Sequence, residues 1–204
     1  MLRNLCKIYS YLLHPYLVPL YIVTVMLFGA TTYAVLPLRL KFYLLWVFGL
    51  YALILPVVVT AAVRRLGNNR FKQWFRGRRR RILPLLVGAC CYVLCAITLV
   101  KAPSLLFFRK ITIAAMLCEV FCLLVLPWWR VSLHMTAMGA AVAILIVLNV
   151  IGVLSLFWAM LISIVCAGLL ASARLYTGRN NGLQILVGFA GGFLITILTL
   201  VFIH

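Results

Sequence analysis

The chain is predicted to fold as an all-α bundle of six to seven transmembrane helices, a single integral membrane domain over residues 1–204. Composition is the first observation: 67% of the 204 residues are apolar, 10% are charged, and the mean hydropathy is +1.22. A soluble chain is about half apolar and about a quarter charged. The second is a series of apolar runs, each near the ~20 residues that cross ~30 Å of hydrocarbon. The third is the basic loop 64–81, which packs nine Lys and Arg residues between two such runs. Cations grouped this way fix which way neighbouring spans cross.

Taken in order, residues 1–14 read as a short interfacial helix, with Leu5, Ile8, Tyr9, Leu12 and Leu13 set against Arg3 and Lys7. No small-residue cleavage site follows the first apolar run, so that run is expected to stay as a span and not to act as a secretory signal. The expected spans are 15–36, 42–63, 82–100, 111–128, 135–153, 156–173 and 183–203. Pro56 lies deep enough in the second to kink it. Residues 135–173 carry no charge and as one helix would run about 57 Å, far beyond a bilayer. A hairpin near 152–158 divides them; a kinked or re-entrant helix there would reduce the count to six. Trp128 and Trp129 suit an interfacial aromatic belt. Gly188, Gly191 and Gly192 permit close helix contact in the last span.

Glu119 is the one acidic residue, and the formal net charge is +18. The expected partners are therefore anionic or phosphorylated lipid head groups or free phosphate. Nucleic acid is not expected, because the cations alternate with spans instead of forming one soluble basic face. The cysteines form no C-x-x-C pair, and six of the seven lie inside apolar runs. They read as small hydrophobes, with Cys91/Cys95 and Cys118/Cys122 each on one helix face, and no metal or cofactor is implied.

With seven spans, Arg3, Lys7, the nine cations of the loop, Arg130, Arg174 and Arg179 share one side. Arg39, Lys41, Lys101, Arg109 and Lys110 lie on the other. The positive-inside rule places the richer side, with the basic loop, in the cytoplasm.

Three polar clusters sit at span ends on that side. They run from Lys72 through Arg79 to Pro84, from Arg130 through Ser132 to His134-Met, and from Ser172 through Arg174, Asn180 and Asn181 to Gln184. In these the chain resembles the type 2 phosphatidic acid phosphatase family, in particular a small all-membrane branch of Bacteroidetes type. The family's first motif has a Lys with Arg-Pro seven residues on, and its second is Pro-Ser-Gly-His. The third has Ser-Arg, then a His, then an Asp. The branch adds a His-Pro near the N-terminus, matched here by His14-Pro15.

Carried over, Lys72 and Arg79 have the first motif's spacing, although Arg80 replaces the Pro. Ser132 and His134 match the second motif, in which the His is the acid–base group. Arg174 matches the phosphate-binding Arg of the third, with its Ser displaced to Ser172. The resemblance thus implies Lys72, Arg79 and Arg174 as phosphate ligands and an activity, if present, of lipid-phosphate or pyrophosphate hydrolysis. The nucleophilic His is replaced by Asn180, and the orienting Asp by Gln184. An amide nitrogen has a delocalised lone pair and cannot form the phosphohistidine that the family reaction needs. His14 and His204 are the other histidines, both far along the chain. The expectation is a head-group binder whose hydrolysis is lost or weak.

Plainer readings compete. His134 can be an interfacial ring, Arg78–Arg81 an orientation signal, and Asn180-Asn181-Gly182 a turn. Glu119, mid-span, is a functional candidate by position but has no place in the motifs. It supports the alternative of a non-enzymatic membrane component, a transporter or envelope-complex subunit.

The seven-span order makes the loop 64–81 and the segment 174–182 share a side. Cysteines introduced at Gln73 and Asn181 should label from the same face. Labelling from opposite faces would contradict that order.

Overall fold

The computed structural model describes residues 2–29, 31–66, 82–100, 105–151 and 156–202, and every element among them is helical. Helix α1 (Leu2–Leu12) precedes α2 (Val18–Phe28), a 3-10 turn (Thr32–Val35) and α3 (Leu38–Phe48). A π-helical turn (Gly49–Ile54) joins α3 to α4 (Leu55–Leu66). Then come α5 (Ile82–Leu99), α6 (Leu106–Val125), α7 (Leu133–Val150), α8 (Phe157–Tyr176) and α9 (Gly182–Phe202).

Five helical stretches are long and apolar enough to cross a membrane: Leu38–Val63, Ile82–Leu99, Leu133–Val150, Phe157–Tyr176 and Gly182–Phe202. Helix α6 is equally long, at 20 residues, but carries Arg109, Lys110 and Glu119. The expected division of residues 135–173 is present as α7 and α8, which pack on each other. Apolar side chains of α8, among them Trp158, Ile162, Val165 and Leu169, are exposed. A row of this kind on the outside of a bundle is suited to lipid, the solvent that makes such exposure favourable.

The first expected span, 15–36, is not one helix. Helix α2 has 11 residues, about 17 Å of rise, roughly half the hydrocarbon thickness. It ends where Gly29 turns extended. Thr31 then caps the 3-10 turn: its hydroxyl donates to the Met26 carbonyl and accepts from the Tyr33 N–H at 3.2 Å. The second span has the irregularity expected of Pro56, placed just before it. Proline has no N–H and its ring crowds the carbonyl four residues back. The π turn absorbs this, with Leu55 N–H bonding Leu50 O, so that Pro56 falls in the first turn of α4.

The bundle is built around α7. In α7, 56% of the apolar stretch is buried, against 22–33% in the other four. Helix α9 lies so close to it that a Cβ on Gly139 would strike the Phe189 carbonyl, and one on Gly192 the Thr136 carbonyl. Gly188 faces the Ser132 carbonyl in the same way, at 2.9 Å for an added Cβ. The expected packing role of Gly188 and Gly192 is therefore present, and Gly191 gives room to the Phe121 ring of α6. The cysteine faces also fall as expected: Cys91, Cys95, Cys118 and Cys122 are all buried and free. The Cys122 thiol donates to Thr136 Oγ1 at 3.5 Å, holding α6 against α7.

Gly192→Ala should push α9 off α7 and destabilise the protein by roughly 1–3 kcal/mol, the usual cost of overpacking. Thermal unfolding in detergent measures it. Gly168→Ala, where an added Cβ meets nothing, should be neutral or gain up to about 1 kcal/mol from helix propensity.

Candidate functional site

The site begins with the way α8 ends. Arg174 is in its last turn, and Gly178 follows at φ 65°, the left-handed region that favours glycine. Arg179 N–H bonds Arg174 O at 3.2 Å and Gly178 N–H bonds Leu175 O at 3.0 Å. These two bonds make a Schellman motif, which closes the helix and turns the chain back on itself. The reversal carries Asn180 to Arg174, six residues earlier. Arg174 Nε donates to Asn180 Oδ1 at 2.9 Å, and Asn180 Nδ2 donates to Gln184 Oε1 at 3.1 Å. Gln184 Oε1 also accepts from Asn181 N–H at 3.3 Å, capping the start of α9. Arg174 and Asn180 are 7% and 5% exposed.

Helix α7 starts beside this turn, because Ser132 N–H donates to the Gln184 carbonyl at 3.3 Å. His134, two residues on, donates from Nε2 to the Ser10 carbonyl at 3.1 Å; a carbonyl can only accept, so that nitrogen carries the proton. His14 completes the group. Its ring meets the His134 ring edge-on with centroids 5.6 Å apart, and its Nδ1 accepts from Tyr16 N–H at 3.4 Å. Burial, then the Arg174 charge, hold the His14 imidazole below its ordinary value of 6.5. Arg174 is also within electrostatic range of His134.

The structure therefore brings together His134, Arg174, Asn180 and Gln184 from the motif positions. Ser132 lies with them, 1% exposed, and its hydroxyl has no hydrogen-bond partner among the described residues. Ser172 does not join. It is exposed, and its hydroxyl turns back to the Gly168 carbonyl of its own helix at 3.0 Å. The displaced motif serine is thus a helix-surface residue. Lys72 and Arg79 lie outside the described residues, as does most of the basic loop.

His14 was not among the expected site residues, since its distance along the chain counted against it. The turn between α1 and α2 closes that distance. The sequence signal was present in the His14-Pro15 pair, where proline ends the preceding helix and fixes a turn.

Below the two histidines a cavity of about 380 Å³ extends into the bundle, walled by α2, α4, α5, α6, α7 and α9. His14 and His134 line it, and so do Tyr92, Thr196 and Glu119. Among the described residues no group of three or more His, Cys, Asp or Glu is placed to hold a metal ion.

Chemically, the cluster offers a guanidinium, two imidazoles and an amide, and no carboxylate. The His14 Nδ1 lone pair is engaged by Tyr16 N–H, so the neutral ring carries its proton on Nε2 and acts as a donor. Asn180 is fixed by bonds on both ends of its amide. The helix starts of α7 and α9, with their positive dipole ends, lie at the same place. Comparison with protein-family models, curated proteins and solved structures finds no match to this chain.

His14 gives the site a pH dependence of defined sign. With its folded value below 6.5, the neutral ring is the form that folding favours. The stability it contributes is present above the unfolded value and is lost as pH falls below about 6.5. Thermal stability should therefore decline from pH 7 to pH 5. The decline should be shallower in His14→Gln; an identical slope would remove His14 from the account.

Proposed function

We propose that this chain is a membrane-embedded protein of the lipid-phosphate phosphatase type, which binds a lipid phosphate or pyrophosphate head group and whose hydrolytic activity is lost or weak. Six to seven spans in a bacterial inner membrane, with the loop 64–81 cytoplasmic, complete the reading. The observation that carries it is the convergence of Arg174, His134, His14 and Asn180 at one span-end site. The chain's one carboxylate side chain, Glu119, lines the cavity instead.

Guanidinium N–H groups make charge-assisted bonds to phosphate oxygens, and two can serve one phosphate. Asn180 holds the Arg174 side chain in place. The His14 Nε2–H and the helix starts of α7 and α9 add donors that suit an anion. Lys72 and Arg79 are proposed to contribute from the basic loop.

The proposed loss or weakness of hydrolysis rests on the motif's nucleophile position, which holds the amide of Asn180. Asn180 cannot attack phosphorus, and His14 has its lone pair turned to Tyr16. His134 is proposed as an acid–base group without a phosphohistidine to serve.

A second reading, a non-enzymatic transporter or envelope-complex subunit, is favoured by one observation. Glu119 and both histidines line the same cavity within the bundle, and intramembrane ionisable groups mark substrate paths in many carriers.

Phosphate or a short-chain phosphatidic acid should raise the thermal stability of the purified protein, as any ligand selective for the folded state does. The shift should shrink in Arg174→Ala and persist in Arg39→Ala, an exposed cation distant in sequence from the site. Equal shifts in the two variants would mean diffuse charge attraction and would sink the site. With phosphatidic acid or polyprenyl pyrophosphate, turnover should fall below the ~1–10³ per second usual for enzymes.

A further inference from the structure

Glu119 is the one carboxylate side chain of a chain that carries 19 cations, yet it faces the cavity. Its Oε2 is buried and has no hydrogen-bond donor among the described residues. The cations of its own helix are not available to it. Lys110 is nine residues away, about 14 Å along the axis, and its Nζ bonds the Leu200 carbonyl at 3.4 Å. Arg109 is a further residue away. Of the cavity histidines, His134 gives its Nε2–H to Ser10, and His14 makes no hydrogen bond to Glu119 Oε2.

Space has been kept for this carboxyl. On the facing helix α5 stands Gly88, and a Cβ there would collide with both Glu119 oxygens. Around it the wall supplies hydroxyls from Tyr92 and Thr196, while Pro19, Leu85 and Ile144 make apolar surface. At about 380 Å³ the cavity falls within the range of about 300–1,000 Å³ usual for small-molecule sites, which are mostly apolar with a few placed polar groups.

We propose that this cavity is a binding site for a single-chain amphiphile bearing a primary ammonium group. The hydrocarbon chain lies against the apolar wall and the ammonium donates to Glu119. A carboxylate removed from water is costly unless a cation and hydrogen bonds replace its hydration. An alkylammonium supplies both at once, with three donors for Glu119 and the neighbouring hydroxyls. A hydroxyl head supplies a donor without the charge, and a carboxylate head supplies repulsion. The inference concerns a ligand different from the head group proposed at Arg174, and absence of phosphate binding leaves it standing.

The test uses the full chain in nanodiscs of neutral lipid, titrated with n-decylamine, n-decanol and decanoate and read by native mass spectrometry. Decylamine should bind at least about tenfold more tightly than decanol, a gap of about 1.4 kcal/mol, with decanoate weakest. In Glu119→Gln the amine and the alcohol should become equal. Ala140→Leu, which fills the cavity and leaves Glu119 in place, should weaken the amine by a similar factor and decides the matter if Glu119→Gln fails to fold. Equal binding of amine and alcohol by the wild type would overturn the proposal. So would an amine preference that survives Glu119→Gln, or an amine affinity that Ala140→Leu leaves unchanged.

Discussion

Everything at the candidate site depends on the backbone-to-backbone approach of α7 and α9. Gly139, Gly188 and Gly192 remove the side chains that would hold the two helices apart, so each Cβ position is occupied by a carbonyl of the neighbour. In a bilayer, where lipid tails are as apolar as leucine, close packing of this kind is a main source of helix association. Its consequence at the span end is direct. The two helix starts are brought within a hydrogen bond, Ser132 N–H to Gln184 O, and the turn that carries Asn180 is seated against the first turn of α7. Weakening that contact would loosen the arrangement of Arg174, Asn180 and His134 together.

Electrostatics divides the interior into two regions of opposite character. The span-end cluster gathers donors and a cation, with His14 kept neutral by burial and by Arg174. In the cavity, the bundle holds its one carboxylate side chain beside hydroxyls and thiols. Tyr16 lies between them: its backbone N–H fixes the His14 ring, and its hydroxyl donates to the Pro84 carbonyl at 3.1 Å, one turn from Gly88. The N-terminal segment thereby takes part in both regions. Helix α1 is held to α8 by the bond from Tyr9 hydroxyl to the Cys166 carbonyl at 3.2 Å, which helps to place Ser10 under His134.

The helical class was legible because hydropathy and run length are local properties, and so was the division of 135–173, where geometry forbids one helix. Cys91 with Cys95 and Cys118 with Cys122 were readable from the helical period, and the glycines of α9 from their spacing. The break at Gly29 was not, because the run 15–36 is apolar throughout and a hydroxyl cap at Thr31 leaves hydropathy unchanged. Arg174, Asn180 and Gln184 were readable as neighbours through the turn between them. His14 was not, since its place beside His134 depends on the α1–α2 turn and on tertiary contacts over more than a hundred residues. The ordinary surface role of Ser172 was hidden for a different reason: motif spacing does not say which face of a helix a displaced residue occupies. The outward α8 face is a tertiary fact as well, since a helix apolar all round shows no preferred side.

The central claim is that three distant segments, the α1–α2 turn, the start of α7 and the turn after α8, form one anion site. Determination of the structure in nanodiscs containing a polyprenyl phosphate addresses it most directly. The phosphate group is expected within hydrogen-bond reach of Arg174 and His14, with Asn180 bridging Arg174 to Gln184. Phosphate density confined to the loop 64–81, or His14 and Arg174 found apart, would contradict the claim.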